Sequence, residues 1–507
     1  MSNLLEKASI ITTPTAYSNG FIHSVKPSES PYADFTFTRN SEATRVNSQG
    51  LVESVQILGS NVVTNGDFAT NADWTAGDGW SFGVNKASCD GTQTSNTGLI
   101  QTISTNIQNQ LVKISFTLDI SAGTLSGSLN NTGGAEFNAL TISGNYSVEA
   151  TSTDVNPTIL FLGDPNFIGS ISNVVIEPVT DDTNLPRINY ENGCGSWLLE
   201  PQTTNLITYS EDFSQWTLGG DTTIESGYLA PDGTNNAYKI SGTDNNIKLT
   251  VANLLGTSQR TIFARTVSGT GTAKLLTHRN NTNNLFSITE QWQRFKINST
   301  TVSSSNSTLF GIDFRGGSLS EIIIWGANAT NNQDFGTSYI PSRGSTRTRN
   351  QDLATNAGSS DLISSTEGVL YAEIAALAND GTYRILSLND GSAGKDNRVY
   401  IQYTNVDNTL SAVVKSVDGT TRVNKSVVLT DSTDFHKIAF KYKANDFSLW
   451  VNGTEHVGTP INGGGVPSGL NRLSFNDGLA NNFFGKAKCV AVFKEALTDA
   501  ELTALTS

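Results

Sequence analysis

Phe435-His436-Lys437-Ile438-Ala439-Phe440-Lys441-Tyr442-Lys443 is followed by Ala444-Asn445-Asp446 and then by Phe447-Ser448-Leu449-Trp450-Val451-Asn452-Gly453. In the first run His436, Ile438, Phe440 and Tyr442 fall on one side and Lys437, Lys441 and Lys443 on the other, the period of two that marks a half-buried strand. Ala444-Asn445-Asp446 is a turn signal. Phe447, Leu449 and Val451 then continue the apolar face, and Asn452-Gly453 closes it as a tight turn. The stretch predicts an antiparallel sheet with one wet face. Trp450 alternates against Phe447, Leu449 and Val451, so it is expected on the opposite face of its sheet.

The same alternation, bounded by Gly, Asn and Asp, recurs along the chain, whereas helical periodicity is scarce. One helix is expected, at the end, where Thr498-Asp499-Ala500-Glu501 fits a capping box and Leu497 can staple onto Leu502. With 507 residues, two to four domains are needed, because one core stops growing well below that size. Only 15% of residues are charged and 37% are hydrophobic, a turn-rich β composition with enough apolar residues for a core in every third of the chain. The net charge of -14, with no Lys/Arg-rich run, argues against nucleic acid as a partner. The opening Met-Ser-Asn-Leu-Leu-Glu-Lys lacks the basic, then apolar, pattern of a signal peptide. No window of 18 apolar residues predicts membrane insertion. Cys89, Cys194 and Cys489 lie more than 100 residues apart and read as isolated thiols of a chain made in a reducing cytoplasm.

An internal repeat organises the middle. Asn61-Val62-Val63-Thr64 leading to Asp67-Phe68 and Trp74 parallels Asn205-Leu206-Ile207-Thr208 leading to Asp212-Phe213 and Trp216. The closings parallel each other too. Thr158-Ile159-Leu160-Phe161 and Ser170 to Ile176 match Thr308-Leu309-Phe310 and Ser318 to Ile324. Two copies of one sandwich follow. The expected organisation is an extended docking arm at 1–60, a first jelly roll inserted at 61–180, a connector at 181–204, a second jelly roll at 205–345 and a C-terminal sandwich at 351–507. The Arg-rich polar stretch Arg343 to Asn350 is expected to link the last two.

Phe35-Thr36-Phe37-Thr38-Arg39-Asn40-Ser41-Glu42-Ala43-Thr44-Arg45-Val46-Asn47, with Leu185-Pro186-Arg187-Ile188 and Trp197-Leu198-Leu199-Glu200-Pro201-Gln202-Thr203-Thr204-Asn205-Leu206, resembles a recurrent framework of phage virion proteins. Residues 61–180 and 205–340 are similar to carbohydrate-binding-module jelly rolls. Residues 360–507 resemble the concanavalin A-like/laminin G lectin fold through His436 to Phe440, Leu449 to Gly453, and Phe484-Gly485 onward to Glu501. The resemblance implies a virion protein, a tail or head fibre, partnered by other virion proteins, self-associated as a homotrimer and contacting host surface polysaccharide. A capsid decoration or tail-collar protein without glycan binding is the alternative, and fold likeness alone does not establish sugar binding.

Candidate chemistry is sparse. A concanavalin A-like glucanase sets paired carboxylates on one strand, but Glu373-Ile374-Ala375-Ala376-Leu377-Ala378 offers only one, which disfavours a glycan depolymerase. His23, His278, His436 and His456 have no metal-ligand spacing, and the loop Asp390 to Asn397 is expected to be a solvated turn before a calcium site. No cofactor is expected. Trp450, Trp80 and Trp216 are the candidate carbohydrate-binding residues, since an exposed indole can carry the C–H face of a sugar.

Overall fold

The computed structural model describes residues 2–28, 31–130, 136–243, 246–251, 256–276, 285–302, 308–331, 336–392, 396–458 and 464–507. The chain is all-β, built of antiparallel sheets stacked as sandwiches, and divides into two compact units. One gathers Met1–Val55, Thr183–Thr203 and Thr348–Ser507; the other joins Gln56–Asp182 to Thr204–Arg347.

The second of these, the jelly-roll unit, holds two copies of one ten-strand plan. In the first copy one sheet runs Trp80–Gly83, Lys86–Asp90, Ile168–Asp181, Leu111–Ala122, Gly144–Thr151, and its partner runs Thr75–Ala76, Thr97–Thr102, Thr158–Gly163, Leu125–Ser128, Phe137–Leu140. The second copy repeats that order: Thr223–Tyr228, Ala237–Ser241, Glu321–Asn331, Gly256–Arg265, Gln293–Val302 over Thr217–Leu218, Asn246–Val251, Thr308–Asp313, Gly271–Leu276, Leu285–Ile288. The residues that carried the repeat do the same work twice. Asn61 accepts the amides of Val63 and Ile176 at 3.0 and 2.9 Å; Asn205 accepts those of Ile207 and Ala329 at 3.1 and 3.0 Å. Trp74 donates to the carbonyl of Asn65 and stacks on Phe68, while Trp216 donates to that of Tyr209 and stacks on Phe213.

The closing strands align in a different register from the one the sequence pairing gives. Because Ile176 and Ala329 both bond the clamping asparagine, Ser170 corresponds to Ile323 and not to Ser318. Each strand bulges at a residue with positive φ, Asn173 at 54° and Gly326 at 62°. An apolar alternation does not reveal a bulge, so matching by pattern slips past it.

The other unit is a sandwich assembled from three stretches of chain. Its larger sheet runs Ile188–Glu191, Cys194–Leu199, Gly485–Phe493, Glu367–Ala376, His436–Lys443, Phe447–Val451, Thr454–Gly458, with Ala8–Thr12 also paired to Gly485–Phe493. Its smaller sheet runs Thr421–Val428, Thr409–Lys415, Arg398–Tyr403, Arg384–Asn389, Arg472–Ser474. Ile438, Phe440, Tyr442, Phe447, Leu449 and Val451 fill the core between them, as the opening stretch predicts. The turn Asn452-Gly453 has φ of 48° and 81°, the left-handed pair that a two-residue hairpin needs.

The face expected to be wet is covered. Ala439, Trp450 and Val369 pack beneath Leu4, Leu497, Leu502 and Leu505, so the capped helix Asp499–Thr506 lands on the back of the sheet and makes a second small core. Lys441, on that face, pairs with Asp446 at 2.8 Å.

Residues 1–60 are extended in short strands, but they do not form an arm apart. Phe35 and Phe37 are fully buried in the main core of the sandwich, beside Trp197 and Leu199 from the stretch expected as a connector. A fragment of residues 351–507 therefore lacks part of its own core. Arg349, expected in the linker, is also buried.

Candidate functional site

The residues of the stretches Phe35 to Asn47, Leu185 to Ile188 and Trp197 to Thr203 converge in this discontinuous unit. Arg39, Arg187, Glu200, Arg349 and Asp352 have side chains at most 1% exposed. Arg187 bonds Glu200 at 2.5 Å and Asp352, Arg349 bonds Glu200 at 2.6 Å, and Arg39 reaches Asp352 at 3.3 Å and the carbonyl of Leu185 at 2.9 Å. Burial pulls the Arg39 pKa down to about 10 against the attraction of Asp352. Burial opposes charge on Arg187 as well, yet Asp352 and Glu200 together outweigh it and raise its pKa. Three guanidinium groups on two carboxylates make a clasp that ties three stretches of chain. Loss of one member would strand a buried charge, typically a cost of about 3–5 kcal/mol.

The predicted sugar platforms are elsewhere and out of reach. Trp450 is 5% exposed beneath the terminal helix, its indole N–H on Ser448 at 3.0 Å. Sequence alternation placed it on the correct face but could not show what covers that face. Trp80 is 8% exposed and packs on Phe167; Trp216 is 4% exposed and seats the second jelly roll. None of the three offers a ring to a ligand, and no two are brought together at one surface.

Other expected positions resolve simply. Glu373 lies across from Lys437 and Cys489 on its two neighbouring strands, with Lys488 at 3.7 Å, so no carboxylate faces it there. In the loop Asp390 to Asn397, Asp390 accepts from Ser392 and Asn397; residues 393–395 lie outside the described residues. Among the described residues no group of three His, Cys, Asp or Glu could hold a metal.

A constellation that sequence spacing did not suggest is Ser18-His23-Asp34. The Ser18 hydroxyl is 3.0 Å from His23 Nε2, and His23 Nδ1 is 3.0 Å from Asp34 Oδ2. The connectivity is that of a hydrolase triad, but an acyl-transfer site also needs free N–H donors for an oxyanion. The amides of Gly20 and His23 are spent on the carbonyls of Asn184 and Ala16. Asp34 also accepts from the amide and hydroxyl of Ser24. The three side chains act as a staple for the hairpin.

A shallow groove of about 490 Å³, open to solvent, lies between Asn356, Gly358, Ser359 and Ser360 on one side and Asn471-Arg472 on the other. Its two sides are tied by the bridge in which Ala357 and Leu473 exchange both backbone hydrogen bonds. Its wall needs unusual backbone: Asn356 has φ of 66° and Gly358 has φ of 98°, and a Cβ on Gly358 would meet Ile363 at 2.7 Å. Arg472 bonds the Asn356 carboxamide at 3.3 Å and lies flat against Gly391, where a Cβ would be 2.5 Å from the guanidinium carbon. Tyr32, whose carbonyl takes the Gly358 amide, is 68% exposed. Hydroxyl, carboxamide and guanidinium groups line the groove, with no His, Cys, Asp or Glu among them, a lining suited to binding hydroxyls. Its two halves are more than 100 residues apart in sequence, and only the Asn-x-Gly of Asn356-Ala357-Gly358 could have hinted at it.

No protein-family model matches the chain, and no curated protein matches it. Among solved structures it is similar to the CBM40 module of the Ruminococcus gnavus IT-sialidase bound to alpha2,3 sialyllactose, with 16% identity over 28% of this chain and 84% of that one, at a TM-score of 0.25. It is similar to the CBM22-1-CBM22-2 tandem of Paenibacillus barcinonensis Xyn10C, with 12% identity, 57% and 98% of the two chains covered, and a TM-score of 0.19. Domains LG4-5 of the mouse laminin alpha1 chain match with 11% identity, 56% and 93% covered, and a TM-score of 0.19.

Proposed function

We propose that this chain is a non-enzymatic structural component of a bacteriophage virion, a fibre-like protein whose discontinuous sandwich meets host surface glycan. The observation that carries the reading is the clasp. Arg39, Arg187 and Glu200, which come from the phage-like framework, meet in one buried cluster completed by Arg349 and Asp352. The resemblance therefore tracks a folded unit and not a loose docking peptide. Other virion proteins are its proposed partners, a homotrimer its proposed state and the particle its proposed location. The groove at Arg472 is the proposed glycan contact, and weak single-site affinity is sufficient there because many copies on one particle raise the effective concentration.

The test is a titration of the full-length protein with polysaccharide purified from the surface of host cells. Arg472→Ala is expected to weaken binding about tenfold, the worth of one charge-assisted hydrogen bond, without moving the thermal midpoint. Equal binding by both proteins would remove the groove from the account. One observation favours the architectural alternative: the burial of Trp450, Trp80 and Trp216 leaves these indoles to packing. On that reading, deleting the protein leaves host adsorption unchanged while particles lose a decoration or collar.

A further inference from the structure

The second jelly roll presents a cross-strand row on the outer side of one sheet. Register places Glu225 beside Lys239, Lys239 beside Ile323, and Ile323 beside Arg265; Arg265 in turn faces Trp292, next to the pair Ala264 and Gln293. Ile323 is buried beneath this row, whereas the four polar or aromatic members are half-exposed. Each cation lies over a ring: Lys239 is 5.4 Å from the centre of Tyr228, and Arg265 is 5.4 Å from that of Trp292. Lys239 is neutralised by Glu225 at 2.7 Å. Arg265 has no carboxylate within ion-pair distance among the described residues; its one hydrogen bond goes to the carbonyl of Thr266 at 3.3 Å. Arg294 and Lys296 follow Trp292 on the same side of the edge strand; Arg294 spends its guanidinium on the carbonyl of Thr337 at 2.6 Å and the hydroxyl of Thr261 at 3.0 Å, Lys296 is exposed, and Glu321 shares the face two residues along from Ile323.

We propose that this face is a binding site for an acidic glycan, one whose sugar units carry carboxylates. The indole of Trp292 lies against the Arg265 guanidinium and shields one side of it from water, so its outer edge can take a carboxylate in a forked pair of hydrogen bonds. Lys296, exposed further along the same strand, adds a second cation for a successive unit of the same polymer. The first copy supplies the internal contrast. There the same row reads Ser81, Ser88, Ser170, Asp119 and Ser143, with no cation and no ring, on the same strand order. The shared scaffold thus does not require the charged row. The inference extends the glycan-contacting reading to a second site, on different residues from the groove, and Arg472→Ala leaves it untouched.

The test is calorimetric titration of the full-length protein with three probes: oligogalacturonate, the same oligomer with its carboxylates methyl-esterified, and a single-stranded DNA of matched charge. Oligogalacturonate is expected to bind, the methyl ester to bind at least tenfold more weakly, and DNA to bind more weakly than the acidic sugar. Arg265→Ala is expected to weaken oligogalacturonate binding at least tenfold, with Arg265→Lys between it and the wild type and unfolding midpoints unchanged. Binding should also fall as salt is raised. No binding of oligogalacturonate, equal binding of its methyl ester, equal or tighter binding of DNA, or an Arg265→Ala protein that binds like the wild type would each overturn the proposal.

Discussion

The two jelly rolls share a strand order, an asparagine clamp and a tryptophan seat, yet differ in what they bury and what they show. Where the first copy places Ile114 in its core, opposite Ile176, the second places Arg260 opposite Ala329. Where the first shows serines and Asp119, the second shows Lys239, Arg265 and Trp292. The second also carries one residue more between clamp and phenylalanine, eight steps from Asn205 to Phe213 against seven from Asn61 to Phe68. That stretch holds Glu211, which accepts a hydrogen bond from Tyr339 at 2.7 Å. What is kept between the copies closes the backbone; what varies decides charge. Fold and ligand chemistry are therefore separable in this unit.

The largest expected effect falls on the clamp. Asn205 is fully buried and also donates to the carbonyls of Ala327 and Ile340, so Asn205→Ala leaves the buried amides of Ile207 and Ala329 without their acceptor and removes two further bonds. It should cost about 4 kcal/mol in chemical denaturation, against about 1 kcal/mol for Asn61→Ala, whose residue is exposed. Equal losses at the two sites would break the equivalence of burial and clamp strength.

A second test uses pH. Burial, with Asp232 adding to it, pushes the Glu211 pKa from 4.5 up to about 7. Between those values the folded form keeps a proton that the unfolded chain has shed, so stability falls as pH rises from 4.5 to 7. At about 1.4 kcal/mol per pH unit the loss is at most about 3 kcal/mol. Asp232, raised by burial as well, contributes in the same direction. Denaturation at pH 5 and pH 7.5 should show the fall, and Glu211→Gln should flatten it; a rise with pH would contradict the assignment.

A smaller effect sharpens the contrast between the cores. The Arg260 guanidinium is fully buried, has no hydrogen-bond partner among the described residues, and is pulled down to about 10 by burial alone. Arg260→Ile copies the first jelly roll and is expected to stabilise the second by about 2 kcal/mol, because an uncompensated buried charge is removed. A destabilised variant would mean that the guanidinium serves a partner.

The sequence showed the sandwiches, the repeat and the capped helix, because these rest on local signals: alternation, Asn-Gly turns, and the box from Thr498 to Glu501. It showed Arg39, Arg187 and Glu200 in the framework but neither Asp352 nor their meeting, since these residues are joined only by the fold. The candidate site was mostly illegible for a related reason. Trp450 could be assigned to a face but not to a depth, because the helix that covers it is some 50 residues further on. Trp292-Gln293-Arg294-Phe295-Lys296 does carry a readable signal, ring and cations alternating with Phe295, and it marks the strip on the second jelly roll.

The central claim, that this chain is a virion protein meeting host glycan through its discontinuous sandwich, is tested most directly by a cryo-EM map of the particle that carries it. The account predicts that the chain lies on the outer surface, as a trimer, with the groove at Arg472, Asn356 and Ser360 open to solvent. A map in which that groove is sealed against neighbouring virion subunits, or a particle from which the chain is absent, would contradict it.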